Sequence, residues 1–420
     1  MADGLSGGVQ QWIIGLASAL SKLDDASDEY LFLIDDGHGG WLTPYLWGPC
    51  RLLAKSDVIS AAARASTVGP GARRPRGRVG ARFRIVRRLR RTLRRRLLGR
   101  KPVQWRSPID QMITEAGADV MHFPRQSAFE TAVPSIYQPW DLQHLHLPEF
   151  FTPEARQARE ATYRAFCAQA SLIVVATQWV KDDVCARYGI APKRVAVVNP
   201  PPVTVAYGPP EPNEESAIAA RLGLPARYAF YPAQTWGHKN HERLFEALRQ
   251  LRDRGIEVPL VCSGHRNARH PEVMRSAAAL HIAGQVTFLG FLSPTEIQVV
   301  YRRATMLVFP SLFEGWGLPI LEAFAEGVPV ACSNVTSLPD LVGDAALVFE
   351  PTDPDAIAAS IERLWVDDAL AREFVERGRA RLGTFDWHRT ALLMRAHYRR
   401  VAGRKLNRGE VALLAAPPAV

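Results

Sequence analysis

Glu314 and Glu322 stand eight positions apart in Phe309-Pro-Ser-Leu-Phe-Glu-Gly-Trp-Gly-Leu-Pro-Ile-Leu-Glu-Ala-Phe324. No other stretch of the chain gathers so much potential chemistry. Met306 to Phe309 reads as a short buried strand, and Pro310 and Ser311 end it. Pro319 suits the first turn of a helix that carries Glu322. The backbone N–H groups around Trp316, Gly317 and Leu318 would then head that helix, where an anion is favoured. Gly315 and Gly317 allow an anion to approach the chain closely. The carboxylates cannot bind a phosphate themselves, but they accept hydrogen bonds from hydroxyl groups. A phosphate flanked by hydroxyl acceptors describes a nucleotide sugar.

Other residues extend this chemistry. Lys239 in Pro232-Ala-Gln-Thr-Trp-Gly-His-Lys-Asn-His241 falls at a strand-to-helix turn, where a cation reaches a bound diphosphate. Asn240 is a cap candidate for the helix through Leu244, Leu248 and Leu251. Asp353-Pro-Asp355 has the look of a metal motif but sits at a helix start and reads as capping, and nothing visible requires a metal. The five cysteines are scattered without ligand or pairing spacing, which fits a reducing cytosol.

The Glu314-to-Glu322 element, with seven residues between its glutamates, resembles the signature of the retaining glycosyltransferase family 4. The similarity runs from about Tyr228 to Tyr398. It implies the GT-B fold, an α/β architecture of two doubly wound Rossmann-like domains facing a cleft, with a C-terminal helix crossing back to the first domain. It implies donor contacts from Gly8, Lys239, Leu292, Glu314, Trp316, Gly317, Leu318 and Glu322. Catalytic candidates are Glu314, Lys239, Asp141 and His144. Glu314 would hold the donor sugar, Glu322 the ribose hydroxyls, and Val286 to Leu292 the nucleobase. The chain departs from the family twice. Trp140 stands where a His commonly precedes the Asp of the acceptor-side loop, and Ala233 or Gln234 stands where a second cation is expected.

The positioning elements follow from apolar runs and breakers. Ser6-Gly-Gly-Val-Gln-Gln11 leads into a helix with Trp12, Leu16, Ala19, Leu20 and Leu23 on its apolar face. Met1 to Leu5 is too short and polar for the buried strand expected before it, so a start upstream of Met1 adding an apolar segment is expected. Strands are expected at Tyr30 to Ile34, Asp119 to Phe123, Leu172 to Ala176 and Val195 to Val198. Strand and helix alternate throughout, the pattern of doubly wound domains. The expected layout is an acceptor-side domain at 1–200, a Pro-rich linker at 201–215, a nucleotide-sugar domain at 216–385, a crossover helix at 386–405 and a frayed tail at 406–420.

Composition is globular, with 47% hydrophobic and 22% charged residues. No window supplies the ~18 apolar residues of a membrane span, and no signal peptide is visible. The net charge of +10 is local: Arg73 to Lys101 carries 15 Arg or Lys and no acid, leaving 10 − 15 = −5 elsewhere. Within this basic insertion at 69–106, Val86, Leu89, Leu93 and Leu97 recur at helical spacing. Nucleic-acid binding accounts for the charge alone, without an aromatic platform. A solvated face suffers self-repulsion. Docking of 82–101 on an anionic membrane surface accounts for both charge and stripe, so no nucleic-acid partner is expected.

These readings converge on a cytoplasmic enzyme, peripheral on the inner membrane face and needing no cofactor beyond its nucleoside-diphosphate sugar. It would pass the sugar, with guanosine-linked mannose the first candidate, to a saccharide or lipid-linked acceptor in bacterial-type surface polysaccharide synthesis. A nucleotide-sugar epimerase of the same fold, or a non-catalytic basic membrane or nucleic-acid binding module, are the alternatives.

Overall fold

The computed structural model describes residues 7–23, 27–35, 37–54, 108–203 and 211–420. The segment expected to precede the first helix, the basic insertion at 69–106 with its stretch 82–101, and positions 204–210 of the linker lie outside them.

In the N-terminal half, α1 (Gly7–Ser21) is followed by β1 (Tyr30–Ile34), which pairs in parallel with β2 (Cys50–Ala54). After α2 (Pro108–Glu115) a second parallel sheet runs in the order β3 (Met121–Phe123), β4 (Ser135–Tyr137), β5 (Leu172–Val175) and β6 (Val195–Val197). Its crossovers are α3 (Gln143–His146) and α4 (Pro153–Gln169), then α5 (Gln178–Tyr188). Thr152 and Thr177 start the two long helices, their side chains accepting from the N–H groups of Ala155 and Val180.

The C-terminal half begins with α6 (Pro212–Arg221), so a helix starts inside the expected linker at 201–215: a proline at its first turn suits helix entry rather than extended chain. Then come β7 (Ala229–Pro232), α7 (His241–Asp253), β8 (Leu260–Ser263), α8 (His270–Ala279), β9 (Val286–Phe288) and α9 (Pro294–Arg303). The second set is β10 (Met306–Phe309), α10 (Leu318–Ala325), β11 (Val330–Ser333), α11 (Leu338–Val342), β12 (Leu347–Phe349), α12 (Pro354–Val366) and α13 (Asp368–Leu382). All strands are parallel, in the order β12-β11-β10-β7-β8-β9. This is a doubly wound sheet whose direction of winding reverses between β7 and β10. β5, β8, β10 and β11 are buried at every position, the apolar run of strands covered on both faces.

The chain then recrosses. Helix α14 (Trp387–Val401) buries Ala391 and Met394 in the same cluster as Trp12, Leu16 and Ile136 of the N-terminal half. Gly15 of α1 leaves room for the Trp387 ring, which a Cβ would strike. Tyr398 reaches both N-terminal sheets, packing on Tyr30 and placing its hydroxyl 2.9 Å from His122 Nδ1.

The last residues are not a frayed tail. Helix α15 (Arg408–Ala415) opens on a capping box between Asn407 and Glu410. Glu410 is buried against Arg399, and the N–H of Ala419 donates to Asn199 Oδ1 at 2.8 Å. The apolar pattern of this short segment is weak, and its order comes from polar partners far along the chain. Among the described residues no helix is long and apolar enough to cross a membrane.

Candidate active site in the interdomain cleft

Ligands of doubly wound sheets bind outside the carboxyl ends of the strands at the reversal point. Here that point lies between β7 and β10, and the loops after both strands meet. The turn Gly237–Lys239 after β7 presents Lys239, and the loop after β10 presents Glu314. Lys239 Nζ donates to Glu314 Oε1 at 2.5 Å and lies 5.6 Å above the Phe309 ring. Neighbouring groups fix the pair. Tyr231 Oη donates to the Lys239 carbonyl, and the Leu312 N–H to the His238 carbonyl, each at 2.7 Å. The Glu314 carbonyl accepts from Thr336 and Ser337, both at 2.8 Å.

Asn240 occupies the position before α7, yet its side chain caps nothing. Its backbone is left-handed, at φ 61°, and its amide donates to the Pro310 carbonyl at 3.0 Å and the Pro351 carbonyl at 2.7 Å. It ties together three loops of the sheet's upper edge. Asp353 does cap, accepting from the Asp355 N–H at 2.9 Å.

Gly317 precedes α10 at φ 150°, in a pocket where a Cβ would lie 2.7 Å from Leu341. The N–H groups of Gly317 and Leu318 head the helix, beyond reach of its own carbonyls. One turn on, Glu322 accepts from Tyr301 Oη at 2.7 Å. Burial pushes its carboxyl up to about 7, repulsion from Glu326 adds to the shift, and the Tyr301 bond opposes it. Trp316 lines the cleft, but its indole N–H is spent on the Pro200 carbonyl at 3.0 Å, joining the two halves of the chain.

These residues form one wall of a cleft of about 1760 Å³, with Leu292 on the same side. The opposite wall comes from the N-terminal half: Gly8 at the start of α1, Asp141, and Arg159 on α4. The walls nearly touch at Gly315, where a Cβ would lie 2.5 Å from the Trp140 carbonyl. Trp140 itself is structural. Its indole donates to the Pro124 carbonyl at 3.0 Å and meets Trp12 edge-on, with φ at 72°. Burial raises the Asp141 carboxyl, and Arg159 opposes that rise. His144 is not in the cleft. It is fully buried, its Nε2 is 3.1 Å from Glu160, and its ring packs on Tyr163, so the short helix α3 turns it into the domain.

Two cleft residues carry no signal in the sequence. Arg159 lies in a helix rich in alternating charge that reads as solvent-facing. Its Nε donates to Tyr163 Oη at 3.1 Å, its guanidinium lies over the Phe151 and Tyr163 rings, and among the described residues no carboxylate pairs with it. His238 stands beside Lys239, and burial followed by the Lys239 charge holds it neutral, well below its usual range. No group of three or more His, Cys, Asp or Glu side chains among the described residues is placed to hold a metal ion.

Residues 213–381 match the family described as glycosyl transferases group 1. The chain is 30% identical over 249 residues to the O-antigen chain mannosyltransferase B of Escherichia coli, covering 59% of this chain and 65% of that one. It is 28% identical over 256 residues to the D-inositol 3-phosphate glycosyltransferase of Corynebacterium glutamicum, covering 59% and 61%. It therefore spans less than two thirds of either relative. Among solved structures, Anabaena Alr3699/HepE in complex with UDP and glucose superposes with a TM-score of 0.65 over 94% of this chain and 97% of that one, at 16% identity. The fold is GT-B, as the resemblance implies.

Proposed function

From a chain that carries a domain of the group 1 glycosyl transferase family at residues 213–381 and has the GT-B fold, we propose a glycosyltransferase that moves a sugar from a nucleoside diphosphate to a saccharide or lipid-linked saccharide, with retention of the anomeric configuration. One observation carries this reading. The Lys239–Glu314 pair stands at the reversal point of one sheet and faces Gly8, Asp141 and Arg159 across the cleft.

A bound diphosphate draws Lys239 away from Glu314. The cation and the N–H groups of Gly317 and Leu318 then stabilise charge on the departing diphosphate, and Glu314 is released to accept from hydroxyls of the sugar. Glu322 accepts from the ribose, Leu292 borders the base, and Gly8 closes over the phosphates from the other domain. Arg159 supplies the second positive charge that the loop at Ala233 and Gln234 lacks. It comes from the opposite wall, so the charge is complete only with the domains together. Asp141 faces the acceptor side. No step in this scheme calls for a metal ion.

The similarity to an O-antigen chain mannosyltransferase supports mannose as the sugar moved and a polysaccharide chain as its destination, with guanosine-linked mannose the first donor to try. A lipid-linked acceptor would lie at a membrane surface, and the charge of the arginine-rich stretch 82–101 suits docking on an anionic one. The test is to incubate the protein with sugar-labelled guanosine diphosphate mannose and a bacterial lipid extract. Label passing to the lipid or saccharide fraction supports transfer. Release of an altered nucleotide sugar without an acceptor identifies an epimerase. Absence of any nucleotide-sugar binding sinks both.

A further inference from the structure

A second cavity, of about 220 Å³, opens away from the cleft, between α5, the turn before β6, α14 and α15. Four cations line it: Lys181 on α5, Lys193 in the turn Pro192–Arg194, and Arg389 and Arg400 on α14. None forms an ion pair among the described residues. The contrast lies on the same helix, where Arg399 is bound to both Asp28 and Glu410. The one carboxylate in the lining, Asp386, is spent on capping α14, accepting from the N–H groups of His388 and Arg389 at 3.1 and 2.8 Å.

Both guanidinium groups are held in place by neutral acceptors. Arg389 Nη2 donates to the Pro417 carbonyl at 3.3 Å, and Arg400 Nη2 donates to His397 Nδ1 at 3.2 Å. Burial pushes His397 down to about 3, so it accepts from Arg400 without adding charge. The floor is apolar, with Val195, Val197 and Leu393. Four like charges over an apolar floor repel one another, and an anion relieves that repulsion. Planar guanidinium forks suit the oxygens of a phosphoryl group.

We infer that this cavity is a binding site for a phosphomonoester, independent of the cleft and of the function proposed for it. The bound phosphoryl group would bridge α5 and the Pro192 turn to α14 and the C-terminal residues, beside Asn199, where the chain leaves the first domain. Size and charge admit two sources, a soluble phosphorylated metabolite or the headgroup of a phospholipid.

The experiment uses the full chain with Lys239→Ala, which removes one of the two cleft cations assigned to the diphosphate, and titrates glycerol 3-phosphate by calorimetry at low salt. Binding at the cleft would be indifferent to the second-cavity lysines. Saturable binding is expected. Adding Lys181→Gln and Lys193→Gln, two surface changes that break no contact described above, is expected to weaken it about tenfold or more, while Lys181→Arg with Lys193→Arg preserves it. Unchanged melting temperatures without ligand separate this from loss of fold. A short-chain phosphatidic acid that binds tighter than glycerol 3-phosphate through the same lysines identifies a lipid source, and equal binding identifies a soluble one. No binding to the Lys239→Ala protein, or binding indifferent to the two Gln substitutions, overturns the inference.

Discussion

Glu322 enters the cleft from α10 with a carboxyl that burial lifts to about 7, against an ordinary value of 4.5. If it holds the ribose as proposed, the ionised form offers both oxygens as acceptors to the hydroxyls, whereas protonation turns one of them into a donor. Donor affinity is therefore expected to rise as pH increases through about 7 and to level off above it. The sign is opposite for the fold itself. A native carboxyl that holds its proton more tightly than the unfolded one makes stability fall as pH rises from 4.5 to about 7. Tyr301→Phe removes the hydrogen bond that favours ionisation, so the affinity curve moves to higher pH, and Glu322→Gln flattens it. Calorimetry with a nucleoside diphosphate across this range checks both, and a flat wild-type profile counts against the ribose role. Arg159 gives a second test. Arg159→Gln is expected to weaken diphosphate binding about tenfold, from the roughly 1.5–3 kcal/mol of a charged hydrogen bond, and to leave binding of the bare nucleoside unchanged. Equal losses for both ligands would place the arginine outside the diphosphate site.

Helix α1 and the crossover helix α14 meet at Gly15, and their fit is a property of the elements rather than of one contact. The Trp387 ring fills the space a Cβ would need, and its indole N–H donates to the Pro202 carbonyl at 2.8 Å, so the ring cannot swing aside without losing that bond. Gly15→Ala is expected to cost about 1–3 kcal/mol, the range for overpacking a filled interior. The check is a lower denaturant midpoint with an unchanged m-value. A neutral result would show that α14 can shift on α1. Asn240 works at the same scale in the second domain. Its amide holds the loops after β10 and β12, and through them the backbone that carries Lys239 and Glu314.

At the scale of the whole molecule, the two halves are stapled by tryptophans. Trp316 binds Pro200 and Trp387 binds Pro202, both at the exit from the first domain. The basic stretch belongs to the first half of the chain, and the proposed donor residues other than Gly8 and Arg159 to the second. Membrane docking and nucleotide binding should therefore separate by mutation. Each Lys or Arg near an anionic surface contributes about 1 kcal/mol, screened over ~8 Å at physiological ionic strength. A fraction of the 15 charges between Arg73 and Lys101 would suffice for the proposed reversible docking. The protein is expected to pellet with anionic vesicles at low salt, less with neutral ones, and to be released by high salt. Replacing Arg87, Arg88, Arg90 and Arg91 with Gln should reduce pelleting and spare nucleotide binding. Equal pelleting with neutral and anionic vesicles would remove the membrane reading and bring nucleic acid forward.

The sequence by itself determined what depends on neighbours along the chain. Met306 to Phe309 is a strand because a short apolar run ended by breakers can bury both faces in a parallel sheet, and Tyr30 to Ile34 is one by the same local pattern although Leu31 stays exposed. Thr177 and Asp353 cap helices because the side chain reaches an N–H two or three residues away. The Glu314-to-Glu322 element was legible because its glycines, proline and carboxylates act on one backbone segment. Only the tertiary structure decided what depends on distant partners. His144 is turned away from the cleft by Glu160, Asn240 is taken from its cap by two proline carbonyls, and the end of the chain is ordered by Asn199 and Arg399. Arg159 enters the site because the fold brings α4 against the cleft, with its Nε on Tyr163 and no ion pair among the described residues, and no local pattern encodes that. Local spacing sets which bonds a residue can make, and packing between remote segments selects among them.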